Sequence, residues 1–183
     1  DQLSFKIEPE ATFQLGAGFS VYAHGVLQPV QDPEAGESRY FEDNGFVIED
    51  LFLAYETGRY AVQGGKFTPA FGIGWDATPG IYGSGFAEDG YEFAERVGLA
   101  GSVAFGGGAD GSHKLTAHGF FLDTSPLSES LGQGRGTTDE EDGGVSNTED
   151  LSSFAVTLDG EDVAGIKGFG YRISYIRQAA GVT

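Results

Sequence analysis

Three histidines, His24, His113 and His118, are the residues of this chain that could carry acid–base chemistry. A histidine placed beside a serine and an acid can activate the serine as a nucleophile. No Gly-x-Ser-x-Gly motif accompanies these histidines, and the chain contains no cysteine to act as a nucleophile or a thiolate ligand. We therefore expect polar histidines on a wall or at an interface, and no enzymatic activity.

Charged residues on the polar side of the predicted strands are stronger candidates for a functional site. Ionisable groups on such a face either pair with one another or line a water path, where rings of charge bias which ions pass. The alternative is that they form salt bridges that hold a loop, with Asp76, Glu88 and Asp89 as acidic partners. The residues that alternation places on this side are Lys66, Glu92, Arg96, Lys114 and Arg172.

Two further segments have a composition that could suggest a ligand site. The acidic run Asp139–Asp142 lacks the alternating oxygen ligands of an EF-hand, so we expect a solvated loop, with weak divalent-ion bridging as the alternative. The glycines at 106–108 precede no helix whose N-terminus could hold a phosphate, so we expect a turn. We expect no metal site and no cofactor.

Alternation of apolar and polar residues with a period of two runs through most of the chain and predicts β-strands. Short turns join the strands in pairs, and long loops separate one pair from the next. We predict one all-β antiparallel domain, residues 1–183, with about eight strands. The expected pairs are residues 1–15 with 19–28, 47–56 with 60–68, 91–105 with 115–121, and 154–158 with 169–175. In the second pair Val47, Leu51 and Leu53 should share a face, and in the last pair a turn is expected near 159–165.

Short turns that alternate strictly with long loops are typical of transmembrane β-barrels. A soluble eight-stranded barrel would alternate in the same way, but with its apolar face inward. The polar face mixes charged residues with many glycines and alanines, which favours a crowded or water-filled lumen. Aromatic residues also recur near strand ends, where an interfacial girdle would lie. These are Tyr55, Tyr60, Tyr91, Phe105 and Tyr175.

Composition excludes several other classes of protein. The net charge of −18 argues against nucleic-acid binding, because a polyanion would be repelled. No run of 18 apolar residues predicts a transmembrane helix. With 31 glycines and 13% aromatic residues, the chain is too rich in glycine for helices and too aromatic for disorder.

One long stretch, residues 64–91, begins as a strand and then loses both strand and helix periodicity, although it holds the single tryptophan. Irregular segments of this length are usually functional or disordered, and the aromatic content argues against disorder. The run Gly-Gly-Lys-Phe-Thr-Pro-Ala-Phe-Gly at 64–72, followed by Trp75-Asp76, Pro79-Gly80-Ile81-Tyr82 and Phe86-Ala87-Glu88-Asp89, resembles a family of bacterial outer-membrane porins. The likeness is closest to porins of alphaproteobacteria and looser to phosphate-selective porins.

The resemblance implies a channel in the bacterial outer membrane for passive diffusion of small hydrophilic solutes or ions. In that family the Gly-Lys-Phe-x-Pro-x-Phe-Gly element ends a strand and opens an inward loop, here at about 68–90. The loop at about 123–150 would be acidic and extracellular. The expected residues of the constriction and lumen are Lys66, Trp75, Asp76, Tyr82, Glu88, Asp89, Glu92, Arg96, Lys114 and Arg172.

The predicted strand directions place the two ends of the chain as in an N-terminal portion of a barrel of about 16 strands, the size class that leaves an aqueous channel. Expected partners are outer-membrane lipid, lipopolysaccharide and small hydrophilic solutes, and whether the protein forms a homotrimer stays open. Two alternatives also stay open. One is a structural or adhesive outer-membrane barrel with acidic surface loops, and the other is a soluble ligand-binding barrel.

Overall fold

The computed structural model describes residues 1–72 and 93–182, and this part of the chain is all-β with no α-helix. Single turns of 3-10 helix occur in turns and loops at Gly108–Asp110, Pro126–Ser128, Glu140–Asp142 and Val163–Gly165. Within the described ranges, no helix is long and apolar enough to cross a membrane. The strands are β1 (Gln2–Leu3), β2 (Glu10–Gly16), β3 (Phe19–Pro29), β4 (Arg39–Tyr40), β5 (Asn44–Thr57), β6 (Tyr60–Phe67), β7 (Arg96–Gly106), β8 (Ser112–Leu122), β9 (Leu131–Gly132), β10 (Ser153–Glu161) and β11 (Tyr171–Arg177).

The long strands form one antiparallel sheet in which neighbours in sequence are neighbours in space. Its order is β2, β3, β5, β6, β7, β8, β10, β11, which agrees with the prediction of about eight strands in four hairpins. The short strand β9 joins this sheet at one end of β5, where Gly45 and Phe46 pair with Gly132 and Leu131. The sheet is open in the structure, with β2 and β11 as its outer strands.

The first predicted strand, residues 1–15, is wrong in its first residues. The chain pairs with β3 at a single bridge, Ile7 with Leu27, and then as a strand from Glu10 onward, whereas β1 pairs in parallel with β4 in the connection after β3. Pro9 has no N–H to donate to a strand ladder, and the ring of Phe5 packs against Phe41 with 6.0 Å between centroids. The N-terminus therefore packs on the β3–β5 connection.

Two other strands begin later than alternation predicts. β7 starts at Arg96, because the preceding Glu95 has a φ of 58°, which is outside the strand region. β11 starts at Tyr171, after a turn in which Gly168 has a φ of 79°. The left-handed conformation at Gly168 carries no steric cost, because glycine lacks a Cβ atom.

A β-bulge in β5 changes which residues share a face of the sheet. The register between β3 and β5 skips Glu49, and an extra residue inverts the alternation beyond it. Val47 therefore lies opposite Val26, and both side chains are buried. For this reason the prediction that Val47 shares a face with Leu51 and Leu53 is wrong.

The two faces of the sheet differ sharply in exposure. The apolar face carries large side chains that are exposed, reaching 59% for Leu99 and 65% for Ile173. On the polar face His118 is only 7% exposed and Thr157 is fully buried. A sheet in a water-soluble protein buries its apolar face instead. The exposed apolar-face residues include Phe13, Phe19, Leu53, Tyr60, Val62, Leu99, Phe105, Leu115, Val156, Ile173 and Tyr175.

Residues 68–72 leave β6 and cross over part of the polar face. The Thr68 N–H donates to Asp50 Oδ1 of β5 at 3.0 Å, and the Gly72 N–H donates to Ser174 Oγ of β11 at 3.4 Å. In a flat sheet the five spacings between these strands would measure about 24 Å, whereas four residues span at most about 14 Å. Side chains stand roughly perpendicular to a sheet and add little lateral reach, so the sheet curves around its polar face.

Residues 68–72 are the beginning of the predicted inward loop. Beneath them lies a small core on the polar face, formed by Phe67, Phe120 and Ala155, each of which is at most 1% exposed. The rest of the predicted loop, residues 73–90, lies outside the described residues.

Candidate functional site on the polar face

A row of three charged residues crosses the last three long strands on the polar face. Lys114 of β8 lies opposite Asp159 of β10, which lies opposite Arg172 of β11. Arg172 Nε donates to Asp159 Oδ1 at 2.6 Å, and its Nη1 donates to the carbonyl oxygen of Gly72 at 2.8 Å. Lys114 is exposed and makes no salt bridge or hydrogen bond with residues 1–72 or 93–182. The structure thus brings together two of the predicted lumen residues.

Two cavities adjoin this charged row, and its three residues line both of them. The larger cavity, of about 480 Å³, extends toward the turns and is also lined by Ser112, His113 and Tyr171. The smaller one, of about 210 Å³, is bounded by Thr68 and Ala70 of the crossing segment. The other polar residues that line the smaller cavity are Glu56, Gln63, Ser102, Thr116 and His118.

His118 stands out among the residues that line the smaller cavity. Neither of its buried ring nitrogens has a hydrogen-bond partner in the described part of the chain. Its ring lies beside that of Phe67, with 5.7 Å between centroids. Leaving a buried polar group unpaired costs about 1–3 kcal/mol. A hydrogen-bonding group that reached the ring nitrogens of His118 would remove this cost.

The crossing segment is fastened to the far side of the sheet by hydroxyl groups. Thr157 Oγ1 of β10 donates to the carbonyl oxygen of Ala70 at 2.5 Å and lies 3.0 Å from Ser174 Oγ. Ser174 in turn accepts the N–H of Gly72, whose carbonyl oxygen accepts from Arg172. The backbone of the segment is therefore held at both ends and has little freedom to swing away from the sheet.

Lys66 does not belong to the charged row, and the prediction that it lies on the polar face is wrong. On the neighbouring strands it lies opposite Leu51 and Val97, which are on the apolar face. Within β6 it alternates in step with Tyr60 and Val62, which are on the same face. A lysine is tolerated there because it lies at the end of the strand, where the loop after β8 covers it. Its side chain is 1% exposed.

Lys66 is the centre of a buried ion cluster formed with Glu95, Asp123 and Arg135. Lys66 Nζ lies 2.7 Å from Asp123 Oδ2 and 3.2 Å from Glu95 Oε1, and it donates to the carbonyl oxygen of Leu127 at 2.8 Å. Arg135 Nη2 lies 2.6 Å from the same oxygen of Glu95. The cluster fits the alternative of salt bridges that hold a loop, but the loop is residues 123–152.

The remaining predicted lumen residues divide into two groups. Arg96 lies on the polar face at the start of β7, opposite Phe67, and its Nη1 donates to the carbonyl oxygen of Ala94 at 2.7 Å. The other six lie outside the described residues: Trp75, Asp76, Tyr82, Glu88, Asp89 and Glu92.

The loop between β8 and β10 folds back on itself around buried polar side chains. Asn147 is fully buried, and its Nδ2 donates to the carbonyl oxygens of Asp139 and Gly143 at 2.8 and 2.9 Å. The acidic run itself stays largely exposed, as predicted for Asp139, Glu141 and Asp142. In the residues that the structure describes, no group of three or more His, Cys, Asp or Glu is arranged to hold a metal ion.

Glu129 organises the part of this loop that covers Lys66. Its Oε1 accepts the backbone N–H groups of Ser130 at 2.8 Å, Arg135 at 2.9 Å and Gly136 at 3.1 Å. These hydrogen bonds, that from Ser130 first, favour the carboxylate form and hold the pKa of Glu129 below its ordinary value.

The sequence pattern does not reveal the roles of Asp159, Asp123 and Arg135. The predicted turn includes Asp159, but β10 continues through this residue. The alternation of the strand then places it on the polar face. Arg135 reaches Glu95 across 40 positions of sequence. No local pattern signals a contact of that kind.

Comparison of the chain with family models, with curated proteins and with solved structures found no match. The resemblance to porins therefore stays a prediction from the motifs at 64–89.

Proposed function

We propose that the protein is a porin-like transmembrane β-barrel protein that lets small hydrophilic solutes or ions diffuse across the bacterial outer membrane. The observation that carries the proposal is the inverted sheet, whose apolar face is exposed while part of its polar face is covered by residues 68–72. In lipid, exposed apolar side chains are stable and the backbone groups are paired between strands. In water, the same face would be a contiguous apolar patch across the sheet.

Strand length and curvature also support this function. A tilted strand needs about 9–11 residues to cross the hydrocarbon core, and β3, β7 and β8 have 11 residues each while β10 has 9. A sheet that curves around its polar face encloses a polar lumen when it closes. Eight long strands supply about half of a barrel of about 16 strands, the size that leaves an aqueous channel.

The mechanism is steric and electrostatic. Residues 68–72 occupy part of the lumen side and narrow it, and they are fastened there by Thr157, Ser174 and Arg172. Asp159 neutralises the guanidinium of Arg172, so Lys114 sets the local charge of the row. Ions and solutes that pass between the two cavities pass this row, which biases their charge.

Planar-bilayer recording on the protein expressed from its whole gene tests the proposal. Reconstituted protein should produce stepwise single-channel conductance with a linear current–voltage relation at low voltage. Heat-denatured protein from the same preparation is the control. Folded protein that inserts into the bilayer without conducting steps would overturn the porin function and favour the structural or adhesive barrel.

The soluble ligand-binding barrel is the alternative that the sheet disfavours. Such a barrel turns its apolar residues inward, whereas Leu53, Leu99 and Ile173 are all exposed. The adhesive barrel would share the inverted sheet, so conductance is the measurement that separates it from a porin.

A further inference from the structure

We propose that the smaller cavity, beneath residues 68–72, is a binding site for a small monocarboxylate. The inference names a class of solute for the proposed channel. It rests on the proposed function, because binding is a step in permeation only if the protein conducts. The cavity brings together an ammonium group with no ion partner in the described ranges, that of Lys114, and the buried imidazole of His118.

His118 is the feature that points to a ligand. The residue is only 7% exposed, and it lines the cavity. Neither of its ring nitrogens has a hydrogen-bond partner among residues 1–72 and 93–182. An imidazole presents at least one N–H donor in either protonation state. A carboxylate oxygen in the cavity would accept that hydrogen bond, and the charge of the Lys114 ammonium on the same wall would attract the anion.

The charges of the lining limit the charge that a solute can carry. Lys114 and Arg172 carry positive charges, and Glu56 and Asp159 carry negative ones, so the lining is neutral overall. Because Arg172 is already paired with Asp159, the Lys114 ammonium and the Glu56 carboxylate are left, and Lys114 is the one that can receive an anion. The two carboxylates in the lining repel a second negative charge, so a dianion such as hydrogen phosphate is less suited to this site than a monoanion.

The size and polarity of the cavity restrict the solute further. Its volume of about 210 Å³ lies below the range of roughly 300–1,000 Å³ found for sites of drug-sized ligands. Gln63, Ser102 and Thr116 add amide and hydroxyl groups to its wall. The site therefore suits a short carboxylate with a polar body, and acetate is its simplest probe.

Titration of the folded protein with acetate tests this inference. In protein labelled with ¹⁵N at histidine, the ring signals of His118, identified by their loss in His118→Gln, should shift saturably with acetate. The titration is run at constant pH and ionic strength in a buffer without carboxylates. Lys114→Gln should weaken the apparent affinity by roughly two- to fivefold, as expected for the loss of a charge contact at an exposed ammonium.

Lys167→Gln is the matched control, because Lys167 is an exposed lysine in the turn before β11 and does not line the cavity. It should bind acetate like the wild type. The inference is overturned if acetate causes no saturable shift, if phosphate or glycerol binds as tightly, or if Lys114→Gln binds like Lys167→Gln. Protein that conducts without binding acetate would refute this inference only, whereas protein that binds acetate without conducting would refute the porin function only.

Discussion

Lys66 and Asp123 form a buried ion pair in which Nζ lies 2.7 Å from Oδ2 and each side chain is 1% exposed. Lys66 also donates to Glu95 Oε1 and to the carbonyl oxygen of Leu127. The pair joins the end of β6 to the first residue after β8. It therefore ties the strand that leads into the crossing segment to the loop at 123–152.

Breaking this pair should destabilise the fold strongly. Lys66→Met leaves Asp123 buried without its counter-ion, and we expect the free energy of unfolding to fall by about 3–5 kcal/mol. Urea unfolding in phospholipid vesicles measures it. Lys167→Met, at an exposed lysine, should change it by less than about 0.5 kcal/mol. Equal stabilities for the two variants would contradict the role given to the ion cluster.

Two glycines of β7 provide a matched pair for the packing of the sheet. A Cβ atom at Gly98 would lie 2.1 Å from the carbonyl oxygen of Gly119 and 2.8 Å from Phe120 Cα, whereas one at Gly101 would meet only Val62 Cγ1 at 4.0 Å. Gly98→Ala should cost about 1–3 kcal/mol or prevent folding, and Gly101→Ala should be nearly neutral. Heat-modifiable migration on gels measures the folded fraction, and equal fractions would disprove the close strand contact.

The loop over Lys66 should loosen at acid pH through Glu129. Its pKa is lowered from the ordinary value of 4.5, so its contribution to stability is present at neutral pH and is lost as pH falls through the folded-state pKa. Glu129→Gln should remove this contribution at every pH. Hydrogen exchange of the Arg135 and Gly136 amides should be slow in the wild type at pH 7 and fast in the variant.

Glu141→Gln, in the exposed acidic run, is the control for that experiment. Its Arg135 and Gly136 amides should exchange as slowly as those of the wild type. Unchanged protection in Glu129→Gln would show that its carboxylate does not hold the loop.

The charged row should control ion selectivity. Asp159→Asn frees the Arg172 guanidinium and should shift the reversal potential in a salt gradient toward anion preference. Lys114→Gln removes the unpaired ammonium and should shift it toward cation preference. Lys167→Gln should leave it unchanged. Shifts in the same direction for the first two variants would show that the row does not line the ion path.

Alternation predicted most of the sheet because each long strand keeps one wet and one apolar face. It placed the two faces of β7, β8 and β10 correctly, because their register has no interruption within the ladders that join them. It failed at Val47, where the extra Glu49 inverts the faces, and in residues 1–3, where side chains alternate but Gln2 and Leu3 pair with β4. Neither the bulge nor the pairing of the N-terminus with β4 can be seen in the alternation of apolar and polar residues.

The candidate site was predicted in part for the same reason. Lys114 and Arg172 lie in ladders whose register has no interruption, and alternation sufficed to place them on one face. Lys66 lies at a strand end, where a loop from a distant part of the sequence covers it, so its burial and its partners depend on tertiary contacts. Asp123 and Arg135 are ordinary loop residues in the sequence, and only the fold gives them a partner.

The most direct test of the central claim is site-directed spin labelling of the two faces in lipid bilayers. Labels at Leu53, Leu99 and Ile173 should be accessible to oxygen, which concentrates in lipid, and protected from a water-soluble nickel reagent. Labels at Ala100 and Lys114 should show the opposite accessibilities. Apolar-face labels that meet the nickel reagent, with polar-face labels that meet oxygen, would contradict the transmembrane barrel and the porin function with it.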